Sequence, residues 1–277
     1  MKLQFSKMHG LGNDFMVLNG TTHKIVLSSK QIQRLSDRHR GVGFDQLLLL
    51  EASADPEFDF QYRIYNADGG EVEQCGNGAR CAAKFIHQQR LSDKKQLRLQ
   101  TVNSSLTLIV EDDNLVTVNM GQPIFEPAVI PFVAERIEIN YPLEVAGQEF
   151  DVSVVSMGNP HAVLLVDNVN TAAVQALGAK IEMHLRFPKR VNVGFMQVVD
   201  AKKIKLRVFE RGTGETEACG TGACAAVVAG IRRGLLDATV LVSLPGGDLM
   251  IKWQGGAEPV WMTGPAELVY EGSVVIK

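Results

Sequence analysis

The chain has 277 residues, 45% of them hydrophobic and 21% charged, with a formal net charge of -3. That is enough apolar material for one large core or two ordinary ones. The slightly acidic balance argues against nucleic acid as the main partner, because binding phosphate needs a basic face. The N-terminal stretch MKLQFSKMHG has no apolar segment of the kind a secretory signal carries. The longest apolar run, 223–231, falls far short of the ~18 residues a membrane span needs. Four cysteines without a secretion signal fit a reducing compartment, so the expectation is a cytoplasmic protein with no membrane and no nucleic-acid partner.

Short apolar runs at 3–5 and 15–18 flank the Gly-rich HGLGND and predict a strand, a tight turn and a strand. Ile32 and Leu35 at helical spacing, behind Ser28 and Ser29 as candidate caps, predict a helix over 28–39. Residues 44–50 read as a buried strand and 58–66 as an alternating one. A small-residue helix follows over 76–91, then strands at 97–101, 106–110 and 115–120. Gly121-Gln-Pro123 looks like a crossing into a second half. There, strands are expected at 133–139, 143–145, 152–155, 162–166, 191–199 and 204–209, with a short helix over 171–177. A second small-residue helix covers 220–234, and strands at 240–244, 249–253 and 260–262 follow. Met262-Thr-Gly-Pro265 echoes Met120-Gly-Gln-Pro123, so residues 266–277 are expected to cross back and add a last strand to the first half.

The chain contains one passage twice. Residues 62–83, YRIYNADGGEVEQCGNGARCAA, align without a gap on 206–227, LRVFERGTGETEACGTGACAAV, at a constant offset of 144 residues (75 to 219). Arg63 falls on Arg207, Gly70 on Gly214, Glu71 on Glu215, Glu73 on Glu217, Cys75 on Cys219, Gly76 on Gly220, Gly78 on Gly222 and Ala79 on Ala223. A repeat at about half the chain length indicates an internal duplication. The expected organisation is two similar domains, 1–119 with 266–277 carrying Cys75, and 120–265 carrying Cys219. Short, hairpin-linked strands predict mixed, largely antiparallel sheets. A helix apolar on every side, as 223–231 is, has to be enclosed. The fold class is therefore α+β: two pseudo-symmetric domains, each a curled mixed sheet around one central apolar helix.

Cys75 and Cys219 each stand at the start of such a helix. The first N–H groups there are unpaired and the helix dipole favours negative charge, an effect of about 1–2 kcal/mol. That alone would bring a thiol from ~8.5 to about 7–8, the range a general base needs. The glycines after each cysteine let a ligand approach the backbone, and the same N–H groups suit a carboxylate. Two such thiols related by a repeat suggest inversion of a stereocentre: one removes the α-proton and the other returns a proton from the opposite face, in a coupled titration. Cys81 and Cys224 lie deeper in apolar helix and read as small core residues. There is no C-x-x-C or H-E-x-x-H and the six histidines are scattered, so no metal site is expected.

The strings NADGGEVEQCGNGARC at 66–81 and ERGTGETEACGTGACAA at 210–226 resemble the two cysteine signatures of the diaminopimelate epimerases. HGLGNDF at 9–15, GVGFDQ at 41–46, SMGNPH at 156–161 and NVGF at 192–195 are similar to that family's motifs in order and spacing, so the resemblance spans essentially the whole chain. One departure is Gly70, where the family usually has Ser. The resemblance implies a cofactor-independent epimerase interconverting LL- and meso-diaminopimelate, with Cys75 and Cys219 as the acid/base pair. It implies substrate contacts from Asn13, Gln46, Asn66, Gly76, Asn77, Asn159, Asn192, Glu210, Arg211, Gly220 and Thr221. His161 and Glu210 are implied to tune the thiols, and Tyr270 matches a tyrosine linked to forming a homodimer.

Two other readings stay open on the sequence. A proline or hydroxyproline racemase also uses paired cysteines, although its first motif resembles M-C-G-H, and here Cys75 is followed by Gly-Asn-Gly. A redox-responsive binding protein would use Cys75 and Cys219 as a reversible disulfide, since low-pKa thiols oxidise readily.

Overall fold

The computed structural model describes residues 2–72 and 75–276; Glu73 and Gln74 of the first signature, and Lys277 of the expected last strand, lie outside the described residues. The chain forms two compact units, Met1–Asn119 with Thr263–Lys277, and Met120–Met262.

In the first unit β1 (Lys2–Gly10) and β2 (Asn13–Gly20) lead through α1 (Ser29–Ser36) to β3 (Gln46–Ala52), β4 (Phe60–Asn66) and β5 (Glu71–Val72). The central helix α2 (Gly76–Gln88) follows, then β6 (Gln96–Gln100), β7 (Ser105–Val110) and β8 (Val116–Asn119). In the second unit β9 (Tyr141–Val145) precedes β10 (Gln148–Ser156), β11 (Pro160–Leu165), α3 (Val174–Glu182), β12 (Asn192–Asp200), β13 (Lys203–Glu210) and β14 (Gly214–Thr216). The central helix α4 (Gly220–Arg232) is followed by β15 (Thr239–Leu244) and β16 (Gly247–Lys252). β17 (Trp261–Gly264) leads out of this unit, and β18 (Glu267–Val275) returns to the first.

The duplication is explicit in the strand pairing. In the first unit β1–β2 is antiparallel, β2–β3 parallel, β3–β4 and β4–β5 antiparallel, β4–β6 parallel and β6–β7 antiparallel. In the second unit β10 to β16 repeat that order of directions, step for step. The parallel steps are the ones that need a long crossover, and these hold the helices: α1 and α3 in the first crossover, α2 and α4 in the second. The fold is the expected α+β class.

Burial explains the layering. Residues 76–86 of α2 are all buried except Lys84, and 222–230 of α4 are buried without exception. A helix of that kind needs cover on every side, and α2 packs on β1, β2, β3, β7 and β8, strands from both ends of its sheet. The outer face carries the smaller helix: Ile32 and Leu35 of α1 join Leu3, Phe5, Met16, Leu18, Leu47 and Leu49 in one cluster. Alternation along β3 therefore sends Leu47 and Leu49 outward while Leu48 faces α2. Ser28 caps α1 with a reciprocal capping box to Gln31. Arg63–Glu71 in one unit and Arg207–Glu215 in the other each clamp a two- or three-residue strand to its neighbour, which accounts for the recurrence of that pair in the repeat.

The structure departs from the sequence reading in the second unit. Residues 133–139 alternate like a strand but form none. Val133, Ile137 and Ile139 are about half exposed, and the segment is tied down by Arg186, whose Nε donates to Val133 O at 2.8 Å and whose guanidinium stacks over Phe132. The helix expected at 171–177 is displaced to Val174–Glu182. Thr171 is held in a turn by Asn168. Gly178 does not end the helix, because it is the point of closest approach to Phe209: a Cβ there would meet the Phe209 side chain at 2.7 Å. The polar turns before each cysteine also contain the short strands β5 and β14, which the sequence reading did not separate.

Gly78 of the central helix α2 makes a comparably close contact in the first unit. A Cβ there would sit 2.7 Å from the Tyr62 hydroxyl, 3.1 Å from Leu48 and 3.3 Å from Phe15. The Tyr62 hydroxyl is buried and has no partner among the described residues. Gly78→Ala should therefore cost about 1–3 kcal/mol despite its better helix propensity. Tyr62→Phe should be neutral or stabilising, because no hydrogen bond is lost. In urea unfolding the double variant should recover at least half of the Gly78→Ala loss; strict additivity would refute the contact.

Candidate active site

Each unit places its cysteine at the N-cap of the central helix in extended backbone, with φ -146° and ψ 108° at Cys75 and φ -123° and ψ 104° at Cys219. Each sulfur accepts from the third residue on: Gly78 N–H to Cys75 Sγ at 3.3 Å, and Gly222 N–H to Cys219 Sγ at 3.4 Å. A sulfur thus occupies the place usually held by a Ser, Thr or Asp oxygen.

In the first unit, Asn13 opens β2, Gln46 opens β3 and Asn66 closes β4. Strand pairing sets Gln46 opposite both Phe15 and Asn66, and Gln46 Nε2 donates to Asn66 Oδ1 at 2.9 Å. Gln46 Oε1 is buried without a partner among the described residues, an acceptor left for an N–H. Asn13 Oδ1 accepts from Asn77 Nδ2 at 3.3 Å and lies 3.8 Å from Cys75 Sγ. Gly76 and Asn77 form the first turn of α2, and both are buried.

The second unit repeats the arrangement with different chemistry. Asn159 Nδ2 donates to Thr221 Oγ1 at 3.3 Å, and Thr221 Oγ1 lies 3.6 Å from Cys219 Sγ. Gly220 and Thr221 open α4. His161 Nε2 bonds Asn159 Oδ1 at 2.9 Å; that oxygen can only accept, so the proton sits on Nε2. Asn192, paired opposite His161, donates to Pro160 O at 2.9 Å and accepts from the Arg211 backbone N–H at 3.0 Å. Glu210 closes β13 as Asn66 closes β4, and it accepts from the Thr216 hydroxyl. The exposed Arg211 guanidinium donates to Lys189 O at 3.2 Å. Tyr270 belongs to neither group: it lies on β18, 45% exposed, edge-on to Phe5 at 5.9 Å. Gly70, the departure from the family pattern, sits in the exposed turn with its N–H on Asp68.

Electrostatics separates Cys219 from the simple dipole argument. Burial, joined by the charge of Glu210, pushes the Cys219 thiol well above its ordinary value, and the Thr221 and Gly222 bonds do not offset this. The expectation of a thiol brought to about 7–8 fails at Cys219 because the residue is only 4% exposed, and desolvation outweighs an effect of about 1–2 kcal/mol. Burial pushes Cys81 up to about 12, as suits a core thiol.

Three further charged groups support these side chains; Asp45 carried no signal in the sequence, while Asp14 and Arg80 read there as either site or salt-bridge residues. Asp45 accepts from Asn13 Nδ2 at 3.0 Å and is itself held by Arg38 at 2.8 Å. Asp14 bonds both Arg38 and Lys7; burial works against its charge, but those two cations hold it well below the usual carboxylate range. Arg80, fully buried, donates to Asn77 Oδ1 at 3.0 Å and to Pro265 O at 3.0 Å. The one signal for Arg80 was its mismatch with Cys224 in the repeat. Among the described residues no group of three or more His, Cys, Asp or Glu is placed to hold a metal ion.

The two-unit architecture defines a class of fold also seen in a phenazine biosynthesis protein of the PhzF family from Bacillus anthracis (TM-score 0.72, 16% identity, 100% of both chains). A hydroxyproline epimerase from Agrobacterium vitis, solved with trans-4-hydroxy-L-proline, has it too (TM-score 0.68, 18% identity, 99% of this chain and 92% of that one). Within that class the sequence is specific. The diaminopimelate epimerase family model matches residues 5–126 and again 153–269, and a diaminopimelate epimerase from Laribacter hongkongensis (strain HLHK9) is 59% identical over 278 residues, covering 100% of both chains. The chain belongs to the diaminopimelate epimerase family.

His161 generates a pH prediction. Its imidazole is pushed down from 6.5 to about 3, first by burial and then by the Arg211 cation. Between those values the unfolded chain binds a proton that the folded one refuses, so stability is full above about 6.5 and falls as pH drops towards 3. The loss should reach roughly 3 kcal/mol by pH 4. In urea unfolding from pH 7 to 4, His161→Gln should show a slope shallower by about one proton per molecule; equal slopes would exclude His161 as the source.

Proposed function

We infer that this protein interconverts LL- and meso-2,6-diaminopimelate by moving a proton at one α-carbon. The single observation that supports this most strongly is the duplicated cysteine cap: two thiols, each at the N-terminus of a buried helix and each taking the N–H three residues on. In this reading one cysteine, as thiolate, takes the α-proton, and the other, as thiol, returns a proton from the opposite face. The substrate carboxylate at the reacting centre takes hydrogen bonds from the first-turn backbone N–H groups of Gly76-Asn77 and Gly220-Thr221, where helix ends favour negative charge. The same groups stabilise the charge that builds up on that carboxylate as the proton leaves. Asn13, Gln46, Asn66, Asn159 and Asn192 supply neutral hydrogen bonds, the unpartnered Gln46 Oε1 being suited to a substrate ammonium. Glu210 and Arg211 offer opposite charges to the distal ammonium and carboxylate, and His161 stays neutral beside Asn159.

We place the enzyme in the cytoplasm, supplying a precursor for lysine and peptidoglycan synthesis, and assign it a homodimer through the strand that carries Tyr270. Residues 267–271 of β18 are all exposed, including Leu268, Val269 and Tyr270, which is unusual for a strand packed on either face.

Incubation with LL-diaminopimelate in deuterated water should label the α-carbon and yield the meso isomer, whereas proline should remain unlabelled. Cys75→Ala and Cys219→Ala should each lower inversion by at least about 10²–10⁴-fold. Full activity in either variant would rule out the two-base scheme. Sedimentation should give a dimer that Tyr270→Ala shifts towards monomer; an unchanged dimer would remove β18 from the interface.

A further inference from the structure

Arg211 projects from the turn between β13 and β14, and that turn cannot satisfy its own backbone. The Thr213 N–H bonds Glu210 O at 3.1 Å and closes the turn. Gly212, its third residue, takes a positive φ of 76°. Such a closure pairs the N–H of the last residue only, so those of Arg211 and Gly212 need partners from elsewhere. The Arg211 N–H finds Asn192 Oδ1, on β12, at 3.0 Å. The Gly212 N–H finds Glu182 Oε1, at the last residue of α3, at 2.7 Å.

Glu182 stands where stability alone would not put it. It is 7% exposed, and a buried carboxylate is costly unless it is paired and hydrogen-bonded. It also ends a helix, where the macrodipole disfavours negative charge. Its compensation comes from two segments. One is the Gly212 N–H. The other is Arg190, whose Nη1 lies 3.5 Å from the same oxygen. Arg190 itself has a φ of 60°, in the left-handed region that side chains other than glycine seldom adopt. Next to it, Lys189 supplies the carbonyl to which the Arg211 guanidinium donates at 3.2 Å. Glu182 therefore ties together the turn from which Arg211 projects and the loop on which its guanidinium rests. Local rules broken in one spot are the mark of a functional constraint.

The first unit braces the equivalent turn from the equivalent helix. At the offset of 144 residues, Ala67 and Asp68 correspond to Arg211 and Gly212. Gln33 Nε2 of α1 donates to Asp68 O at 2.7 Å, and the hydroxyl of Ser36, the last residue of α1, lies 3.1 Å from Ala67 O. In that unit the braces are neutral and reach carbonyls. In the second unit the brace is a carboxylate and reaches an N–H.

We propose that Glu182 is a positioning residue for Arg211: holding Gly212 on one side and Arg190 on the other, it fixes the aim of the Arg211 guanidinium and so sets the affinity for the distal carboxylate of the substrate. The proposal rests on the diaminopimelate reading above, in which Arg211 meets that carboxylate. Glu182 acts through Arg211, so its loss should be felt in binding more than in proton transfer.

The test follows α-deuterium incorporation into LL-diaminopimelate over a range of substrate concentrations. Glu182→Met keeps the length of the side chain but removes the acceptor. It should raise KM about tenfold and change kcat by less than about threefold. Glu182→Gln keeps an oxygen for the Gly212 N–H and should restore most of the affinity. If Glu182→Met does not fold, Glu182→Asp withdraws the oxygen by one methylene and should raise KM in the same direction. In an Arg211→Ala background, or Arg211→Lys if the first is too slow to measure, Glu182→Met should add less than about twofold to KM. An unchanged KM, no recovery with Gln, or a rise that adds in full to that of the Arg211 variant would each overturn the proposal. The unaltered protein keeps the two ideas apart. Its failure to incorporate deuterium rejects the epimerase reading, whereas incorporation with a KM indifferent to Glu182 rejects the positioning role alone.

Discussion

An α-helix that is apolar on all sides can persist in water only if something surrounds it, and this requirement organises each unit. α2 and α4 have almost no surface to give to solvent, so each sheet must curl until strands from its two ends reach the same helix. A helix enclosed along its length is still open at its ends, where backbone N–H groups lack partners. In both units that opening is closed by a cysteine sulfur, with the following glycine nitrogen 3.3–3.4 Å away. The site is therefore located by the packing: the end of the buried helix is where a capping thiol, the first backbone amides and the polar ends of β2, β3 and β4, or of β11, β12 and β13, come together.

The strands around each helix contribute through their ends. Parallel pairing of β2 with β3, and of β11 with β12, brings Gln46 and Asn192 level with the residues near the Gly-Asn turns. Antiparallel pairing then sets Asn66 beside Gln46, and Glu210 comes at the equivalent strand end. Neighbouring strands lie about 5 Å apart, so within each unit such residues form a row of hydrogen-bonding groups. Second-rank groups hold the row in place. Asp45 fixes the Asn13 amide, and Arg38 fixes Asp45.

The repeat made the central helices, the two cysteines and the fold class legible, because a duplicated signature constrains two places at once. The motif residues were also readable, each lying at a strand end or helix start where its element begins or stops. What the sequence concealed was tertiary. Residues 133–139 carry the alternation of a strand, but Arg186 and Phe132 hold them as a cover over the second core. The helix expected at 171–177 runs on past Gly178, which is a point of contact with Phe209. The raised Cys219 thiol could not be inferred from its place on a helix, since the outcome depends on how much of the sulfur the neighbouring strands exclude from water. Arg80 and Asp14 were ambiguous for the same reason: a charged residue in a motif serves structure or site depending on what it touches.

The duplication has one more consequence. Two identical half-length chains associating about a twofold axis would carry the same side chain at every equivalent place, and any mutation would alter both copies together. Joined in a single polypeptide, the copies became free to diverge singly, and Asn66 against Glu210 or Arg80 against Cys224 are divergences of that kind. Fusion of the halves is thus what permits a left–right difference in an otherwise repeated machine, a difference closed to any self-paired ancestor.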